Sequence, residues 1–211
     1  RQELTGARHV VIIGAGYIGL EVAATCRTLG LSVDVLEMSD RVMNRVVAPE
    51  ISAFYTEEHQ RMGVRIHTRT LLAGFEPSRS DAARVGRVTT IDGPEFPADL
   101  VIVGVGVLPE TALAESAGLA CENGIAVDEH TRTSDPDIHA AGDCANHPSL
   151  RYGRRVRLES VDNAFEQAKV AAENMLGGRA VHDRVPWFWS DQYDLKLQMV
   201  GLSRGYDEVA I

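Results

Sequence analysis

The feature that most constrains this chain lies near its beginning, where a strand, a glycine turn, a helix and a second strand follow one another. Residues 9–13 are a short apolar run rich in β-branched side chains, which predicts a buried strand. The sequence GAGYIG follows, then a predicted helix over residues 17–29 and a second strand over residues 31–37. The helix has one apolar stripe at helical spacing: Ile18, Val22, Cys26 and Leu29. This order is typical of a βαβ unit in a parallel sheet.

Three glycines in the turn have the spacing G-x-G-x-x-G. Gly14 permits a tight turn, and Gly16 has no Cβ to keep a pyrophosphate from the backbone. Gly19 lets the helix pack closely on the preceding strand. The helix N-terminus adds unpaired N–H groups and a positive dipole end. Together these features predict a dinucleotide site, and the alternative is a glycine turn with a structural role only.

Glu37 stands at the end of the second predicted strand. An acid at this position accepts hydrogen bonds from the adenosine ribose in dinucleotide-binding units. Because a carboxylate repels the 2′-phosphate of NADPH, we expect a preference for NADH. Arg41 and Arg45 follow closely and either could soften that preference, although both could equally be solvated loop arginines.

The next part of the chain extends the parallel sheet and interrupts it once. We predict a helix over residues 49–62, a strand over residues 64–68 and a buried strand over residues 99–105. Between them, residues 71–97 contain short β-rich pieces separated by Pro, Ser, Asp and Gly, which predicts an inserted antiparallel meander. The fold class is therefore α/β, with a Rossmann-like parallel sheet and this insertion.

Gly104 and Gly106 follow the last predicted parallel strand. Open α/β sheets bind ligands at the carboxyl ends of their strands, so these glycines would let the nicotinamide half lie against backbone. The alternative is an ordinary glycine-bearing turn. The predicted NAD contacts are Gly14, Gly16, Tyr17, Ile18, Gly19, Glu37, Arg45, Gly104 and Gly106.

A change of pattern follows residue 131. Residues 133–145 contain a short strand and a glycine–acid turn, and residues 160–176 form an Ala-rich predicted helix. Asp143 in that turn could accept hydrogen bonds from a polyol as a buried acid, or could cap the next turn. Residues 185–202 hold both tryptophans and alternate like an antiparallel strand. The predicted domains are residues 1–131, 132–184 and 185–211.

Charge and composition exclude several classes of protein. The net charge of −9 disfavours nucleic acid as a partner, and no apolar run approaches the about 20 residues of a membrane span. The N-terminus is too polar for a signal peptide, so we expect a cytoplasmic protein. The three cysteines form no C-x-x-C pair and are expected to be reduced; no metal site is predicted. One basic cluster could steer an acidic partner or be a solvated loop: Arg151, Arg154, Arg155 and Arg157.

Five stretches together resemble the family of FAD-dependent NADH:ferredoxin reductases, which includes the putidaredoxin and rubredoxin reductases. They are VVIIGAGYIGLEVAA, PADLVIVGVGVLPE, TSDPDIHAAGDCA, RLESVDNAFEQAKVAA and VPWFWSDQYDLKLQMVGL. The last three are more specific than the glycine motif, which serves many enzymes. The resemblance implies an NAD domain at residues 1–131, the second segment of an FAD domain at residues 132–184, and the start of an α+β C-terminal domain at residues 185–211. It also implies that the first FAD-binding segment precedes this sequence.

The resemblance further implies roles for particular side chains. Asp143 would bond the FAD ribityl chain and Val161 would contact the flavin region. Trp189 would lie beside the flavin and nicotinamide rings, and Glu21 and Glu159 would approach the nicotinamide carboxamide. Without the resemblance, Glu21 is an exposed helix acid and Glu159 a partner for the nearby arginines.

The activity that the resemblance implies is hydride transfer from NADH to FAD, followed by single-electron transfer to a [2Fe-2S] ferredoxin or a rubredoxin that supplies an oxygenase. Docking near the arginine cluster is expected. The absence of a C-x-x-C pair agrees with electron transfer that bypasses a dithiol. Nitrite- or quinone-linked acceptors remain open, as does an NAD(H)-binding fragment without activity of its own.

Overall fold

A computed structural model describes residues 2–91, 93–203 and 205–210 of the chain. The chain divides into two compact units. The first comprises Arg1–Gly106, Ser190–Leu197 and Ser203–Ile211, and the second comprises Val107–Trp189 and Gln198–Leu202. The domain boundaries predicted at residues 131 and 184 stay predictions, because these units are defined by contacts within the chain and not by the boundaries of domains.

The first unit contains a parallel sheet, two helices that connect its strands and a small antiparallel sheet. In chain order the elements are β1 (His9–Ile13), α1 (Tyr17–Thr28), β2 (Ser32–Leu36), α2 (Pro49–Arg61), β3 (Val64–His67), β4 (Leu72–Pro77), β5 (Val85–Thr90), β6 (Phe96–Pro97) and β7 (Leu100–Val103). The parallel strands lie in the order β3-β2-β1-β7.

The central strand β1 pairs in parallel with β2 and β7, and its apolar run is buried. Val10 lies opposite Val33 on one side and Leu100 on the other. The side chains of Val10, Val11 and Ile12 are fully buried, as expected for a strand covered on both faces. The prediction of a buried last strand is partly wrong, because the side chains of β7 are only half-buried and Val103 is exposed.

Helix α1 packs mainly through small side chains, and the predicted apolar stripe is partly wrong: Cys26 is buried, but two of its other members are exposed. Ile18 is 67% exposed and Leu29 is 59% exposed. The buried residues of the helix are Gly19, Leu20, Ala23, Ala24 and Cys26. One physical reason is the close approach of α1 to the glycine turn at Gly19, where a Cβ would lie 2.0 Å from the carbonyl oxygen of Gly14; Leu20 is the one large side chain among the buried residues of the helix.

The predicted meander is confirmed. Strands β4, β5 and β6 form a three-stranded antiparallel sheet, with β5 in the centre. Its side chains Val88 and Phe96 are buried with Val11, Ile13 and Leu36 of the parallel sheet. The insertion therefore covers one face of the parallel sheet with apolar side chains.

The second unit contains a short mixed sheet and a long helix. Its elements are α3 (Ala112–Ser116), β8 (Ile125–Ala126), β9 (Ala145–Ser149), β10 (Arg154–Val156) and α4 (Val161–Met175). Strand β9 pairs in parallel with β8 and antiparallel with β10. Helix α4 begins as predicted, because the Ser160 hydroxyl accepts a hydrogen bond from the Asn163 N–H at 3.2 Å.

The tryptophan-containing segment forms a hairpin of β11 (Trp187–Gln192) and β12 (Leu195–Val200). The sequence predicted one alternating segment, and a turn at Asp194 with Tyr193 at φ 57° divides it into two strands. The turn and its adjoining strand residues, Ser190–Leu197, group with the first unit. The predicted α/β class with a parallel sheet and an antiparallel insertion is confirmed.

Across the described ranges, no helix has both the length and the hydropathy that a membrane span requires.

Candidate functional site

The glycine turn after β1 is built from backbone contacts that exclude a Cβ at two positions. Gly14 has φ +98°, and a Cβ there would lie 2.4 Å from the carbonyl oxygen of Gly104. A Cβ on Gly19 would lie 2.0 Å from the carbonyl oxygen of Gly14. Both glycines therefore allow contacts that no other residue could make, as their predicted roles require.

Gly16 differs, because a Cβ on it would meet no atom of the protein within 4 Å. Its backbone is extended, and it precedes α1 without a side-chain cap for the helix. The first amides of the twelve-residue helix, including those of Tyr17 and Ile18, lie at the positive end of its dipole. The space over Gly16 and these amides fit the pyrophosphate of a dinucleotide.

The turn after β7 reaches the same edge of the sheet. The Gly104 N–H donates to the carbonyl oxygen of Ile13 at 2.8 Å, next to its contact with Gly14. Gly106 has φ +104° and open space where a Cβ would point. The structure thus brings together two glycine segments that lie far apart in the sequence, at the carboxyl ends of adjacent parallel strands.

Glu37 fastens the glycine turn to the loop that follows β2. Its Oε2 accepts a hydrogen bond from the Ala15 N–H and its Oε1 accepts one from the Ser39 N–H, both at 2.8 Å. The carboxylate is half-buried beside the turn that would hold the dinucleotide. Contact with a ribose, as predicted from the sequence, stays a prediction.

The two arginines after Glu37 have different environments. Arg41 donates to the carbonyl oxygen of Val47 at 2.9 Å and to the hydroxyl of Ser52 at 2.6 Å. It therefore holds its own loop and is engaged within the protein. Arg45 is exposed, so of this pair it is the one whose side chain could reach a nucleotide.

Glu21 is held by a side chain from the hairpin. The Ser190 hydroxyl donates to Glu21 Oε1 at 2.6 Å, and Ser190 is fully buried. Glu21 is therefore a partly buried, hydrogen-bonded acid, which corrects its description as an exposed helix acid. The sequence analysis did not single out Ser190 or its neighbour Gln192.

In the second unit, two of the predicted flavin contacts, Asp143 and Val161, line a shallow cavity of about 500 Å³, and Trp189 does not. The cavity is lined by Asp143, Glu159, Ser160, Val161, Ala164 and Phe165. Val161 is 68% exposed and Phe165 is 61% exposed, so the cavity offers an uncovered apolar wall. Asp143 is exposed, which corrects the expectation of a buried acid. An acid at the rim of an apolar surface fits a ligand with a ring and a hydroxylated chain.

A buried polar network supports the turn that precedes Asp143. Gln167 Oε1 accepts from the Gly142 N–H at 2.8 Å, and Gln167 Nε2 is 2.9 Å from His147 Nδ1. The ring of His147 packs against that of His182 with centroids 4.8 Å apart. Burial, with the nearby charge of His182, lowers the pKa of His147 to about 4, so the ring is neutral and its Nδ1 accepts from Gln167.

Glu159 forms a salt bridge with Arg157, at 2.7 Å between Oε1 and Nη1. Arg157 also donates to the carbonyl oxygen of Asp143 at 2.9 Å, and its side chain is only 11% exposed. The structure therefore confirms the alternative prediction for Glu159, that it pairs with a nearby arginine. A contact with a nicotinamide stays a prediction.

The arginine cluster does not form one free basic surface. Arg155 donates to the carbonyl oxygens of Val127 and Asn146, and Arg157 is engaged as described. Arg151 lies in the turn before β10 and Arg154 on β10, and both are exposed, as is Arg155. Docking of a partner near these arginines stays a prediction.

Trp189 lies on β11 beside Trp187, with ring centroids 5.0 Å apart and planes at 36°. Trp187 is held by a 3.0 Å hydrogen bond from its Nε1 to Gln198 Oε1. Trp189 is 38% exposed, so part of its side chain is accessible to a ligand.

Comparison with known proteins adds the family. A family model described as pyridine nucleotide-disulphide oxidoreductase matches residues 1–168, and one described as reductase C-terminal matches residues 187–211. Putidaredoxin reductase of Pseudomonas putida is 49% identical over 211 residues, covering 100% of this chain and 50% of that protein. The chain spans about half the length of the curated relatives that it matches.

Solved structures similar to this chain are also reductases. A ferredoxin reductase for the CYP199A2 system from Rhodopseudomonas palustris matches with a TM-score of 0.93 and 48% identity, over 98% of this chain and 50% of that chain. A covalent putidaredoxin reductase–putidaredoxin complex matches with a TM-score of 0.93 and 49% identity, over 98% and 49%. Because the first family model matches residues 1–168, well over half of the chain, the chain belongs to the pyridine nucleotide-disulphide oxidoreductase family.

Proposed function

We propose that the protein is an FAD-dependent NADH:ferredoxin reductase, which takes a hydride from NADH and delivers electrons to an iron–sulfur ferredoxin or a rubredoxin. The observation that supports this most directly is the open position over Gly16, next to two glycines that tolerate no side chain. Such a turn leaves room for a phosphate beside the first amides of α1.

The first unit would hold NADH. The pyrophosphate would lie over Gly16 and the first amides of α1, beside Tyr17, Ile18 and Gly19. Glu37 and Arg45 would face the adenosine ribose, and the carboxylate would favour NADH over NADPH. Gly104 and Gly106 would let the nicotinamide half approach the backbone, with Glu21 near its carboxamide.

The second unit would hold part of the FAD. Asp143 would accept hydrogen bonds from the hydroxylated chain, and Val161 would contact the ring system. Trp189 would cover one aromatic face, and Glu159 would approach the nicotinamide. When bound, FAD supplies the chemistry that converts a two-electron donor into single electrons. The absence of a C-x-x-C pair from the sequence is consistent with this direct route.

The partner would be acidic and would dock near Arg151 and Arg154. Both guanidinium groups are exposed, whereas Arg155 and Arg157 donate to backbone and carboxylate oxygens of the protein. Exposed basic groups guide an acidic partner through long-range attraction, which salt weakens. Supply of an oxygenase through the ferredoxin or rubredoxin, and a cytoplasmic location, stay predictions.

The test is an anaerobic titration of the full-length, FAD-loaded protein with NADH. We expect the flavin absorbance near ~450 nm to bleach, as the cofactor chemistry requires. A flavin band that NADH leaves unchanged would contradict the proposal.

A second candidate is an NAD(H)-binding module without catalysis. It is favoured because the predicted NAD contacts from Gly14 to Gly106 all lie in the first unit, whereas the predicted flavin contacts lie in the second. A purified chain that binds NADH but shows no flavin absorbance would support this candidate.

A further inference from the structure

A chain of four hydrogen bonds within the first unit ends on Glu21. The Tyr193 hydroxyl lies 3.3 Å from His59 Nδ1, and His59 Nε2 lies 2.8 Å from Gln192 Oε1. Gln192 Nε2 lies 3.0 Å from Ser190 Oγ, which lies 2.6 Å from Glu21 Oε1. The side chains of His59, Gln192 and Ser190 are fully buried. We call this the Glu21 relay.

Every donor in the Glu21 relay points toward the carboxylate. An ionised carboxylate only accepts, so the single hydroxyl hydrogen of Ser190 goes to Glu21. Ser190 must then accept from the amide nitrogen of Gln192, which turns the amide oxygen toward His59. His59 therefore donates from Nε2, and its Nδ1 accepts from Tyr193. The opposite orientation of Gln192 would require Ser190 to donate twice, which one hydroxyl cannot do.

The protonation states of the two ends agree with this direction. Burial lowers the pKa of His59, so the ring is neutral and carries one hydrogen. Burial raises the pKa of Tyr193 to about 12, so its hydroxyl keeps the hydrogen it donates. Hydrogen bonds aligned in one direction inside a protein polarise and strengthen one another.

The Glu21 relay also contacts the loop that closes the glycine turn. The second hydrogen of Gln192 Nε2 points to Met43 Sδ at 3.9 Å. The Met43 N–H donates to the carbonyl oxygen of Ala15 at 2.8 Å. Gln192 is thus held by three side chains, those of His59, Ser190 and Met43.

We propose that Ser190 and Gln192 are positioning residues for the dinucleotide, which commit one oxygen of Glu21 and leave the other for the carboxamide NH₂ group of the nicotinamide. This inference rests on the proposed function, because it takes Glu21 to face the nicotinamide. It goes further by assigning the orientation of that acid to two side chains of the hairpin.

The test compares two dinucleotides that differ only in the group Glu21 would bind. NAD⁺ has the carboxamide, and 3-acetylpyridine adenine dinucleotide has a methyl group in place of its NH₂. Affinities for both are measured by calorimetry on the full-length wild-type protein and on Ser190→Ala. We expect Ser190→Ala to weaken NAD⁺ binding about tenfold, a typical loss for a hydrogen bond to a charged group, and to change the binding of the analogue less than about twofold.

Two further variants separate positioning from stability. Gln192→Met keeps the length of the side chain but removes its hydrogen bonds to Ser190 and His59, so it should discriminate between the dinucleotides in the same direction. Ser52→Ala is the matched control, because Ser52 is equally buried and its hydroxyl donates to the carbonyl oxygen of Val42, away from Glu21. It should affect both dinucleotides alike. Nitrogen-15 spectra should show His59 as the neutral form protonated at Nε2.

The inference is overturned if Ser190→Ala weakens both dinucleotides equally, since a general loss of structure would do the same. It is also overturned if neither affinity changes. A wild-type protein that binds neither dinucleotide contradicts the proposed function itself. A wild-type protein that binds both, with a Ser190→Ala variant whose affinities for the two change equally, contradicts only the positioning role of Ser190.

Discussion

Replacing Gly16 with alanine should separate the stability of the first unit from its affinity for a dinucleotide. The new Cβ meets no protein atom within 4 Å, and the backbone at φ −75° and ψ −175° is open to any L-residue. Alanine is a poorer residue than glycine before a helix, but it loses less backbone entropy on folding. These terms oppose each other, so the free energy of unfolding should change by less than about 1 kcal/mol.

Binding should respond quite differently. The open space over Gly16 is the space in which a pyrophosphate would contact the first amides of α1, so a methyl group there pushes the phosphate away from its donors. We expect the Kd for NADH to rise at least tenfold, which corresponds to about 1.4 kcal/mol. A tenfold loss of NADH affinity in a variant that is as stable as the wild type would come from direct contact between the new methyl group and the bound dinucleotide.

The assay pairs a fluorescence titration with NADH and thermal unfolding of the same sample. Gly74→Ala is the matched control, because Gly74 lies in β4 and its Cβ would make only an ordinary contact, 3.7 Å from Thr89 Oγ1. Gly19→Ala should lower both the Tm and the NADH affinity, since its Cβ would lie 2.0 Å from the carbonyl oxygen of Gly14. A folded Gly16→Ala variant that binds NADH as tightly as the wild type would refute the reasoning.

Three further predictions concern other parts of the site. Glu37→Gln leaves one of two backbone N–H groups without an acceptor, so the free energy of unfolding and the free energy of NADH binding should each become about 1–3 kcal/mol less favourable; unchanged values in both would contradict this role. The pKa of His147 is about 4 in the folded protein and near 6.5 in the unfolded chain. The unfolded chain therefore binds a proton first as the pH falls below 6.5, so the free energy of unfolding decreases between pH 6.5 and pH 4. The change in the free energy of urea unfolding between pH 7 and pH 5 should be about 2 kcal/mol smaller in His147→Gln than in the wild type; an equal change in both proteins would exclude this role for His147. Changing Arg151 and Arg154 together to Glu should raise the KM for the iron–sulfur partner and spare that for NADH, and an equal rise in both would indicate misfolding instead.

Local patterns were sufficient to predict the parts of the fold whose causes are local. The strand at residues 9–13, the glycine turn and the capped helix that starts after Ser160 all depend on residues within a few positions of one another. The meander was predictable for the same reason, because turn residues separate its short strands.

Side-chain environments that depend on distant segments were predicted less well. Helix α1 buries mostly small residues, with Leu20 as the large exception, and exposes Ile18; its close contact with the turn at Gly14 depends on residues that periodicity does not reveal. Arg155 and Arg157 look like surface arginines in the sequence, yet both donate to carbonyl oxygens contributed by other strands and loops. Neither outcome follows from periodicity or charge alone.

The hairpin strand β11 shows why the Glu21 relay could not be found from composition, and also what signal it leaves. Alternation places Trp187 and Trp189 on one face and Ser190 and Gln192 on the other. Ordinary patterning would bury the tryptophans and expose the polar pair, but the structure does the reverse: both rings are about 40% exposed and both polar side chains are fully buried. Burying serine and glutamine without partners would cost several kcal/mol, so they are retained inside only because every donor has an acceptor. Since violations of local patterning concentrate at functional sites, this inverted strand is itself an argument that its buried face serves Glu21.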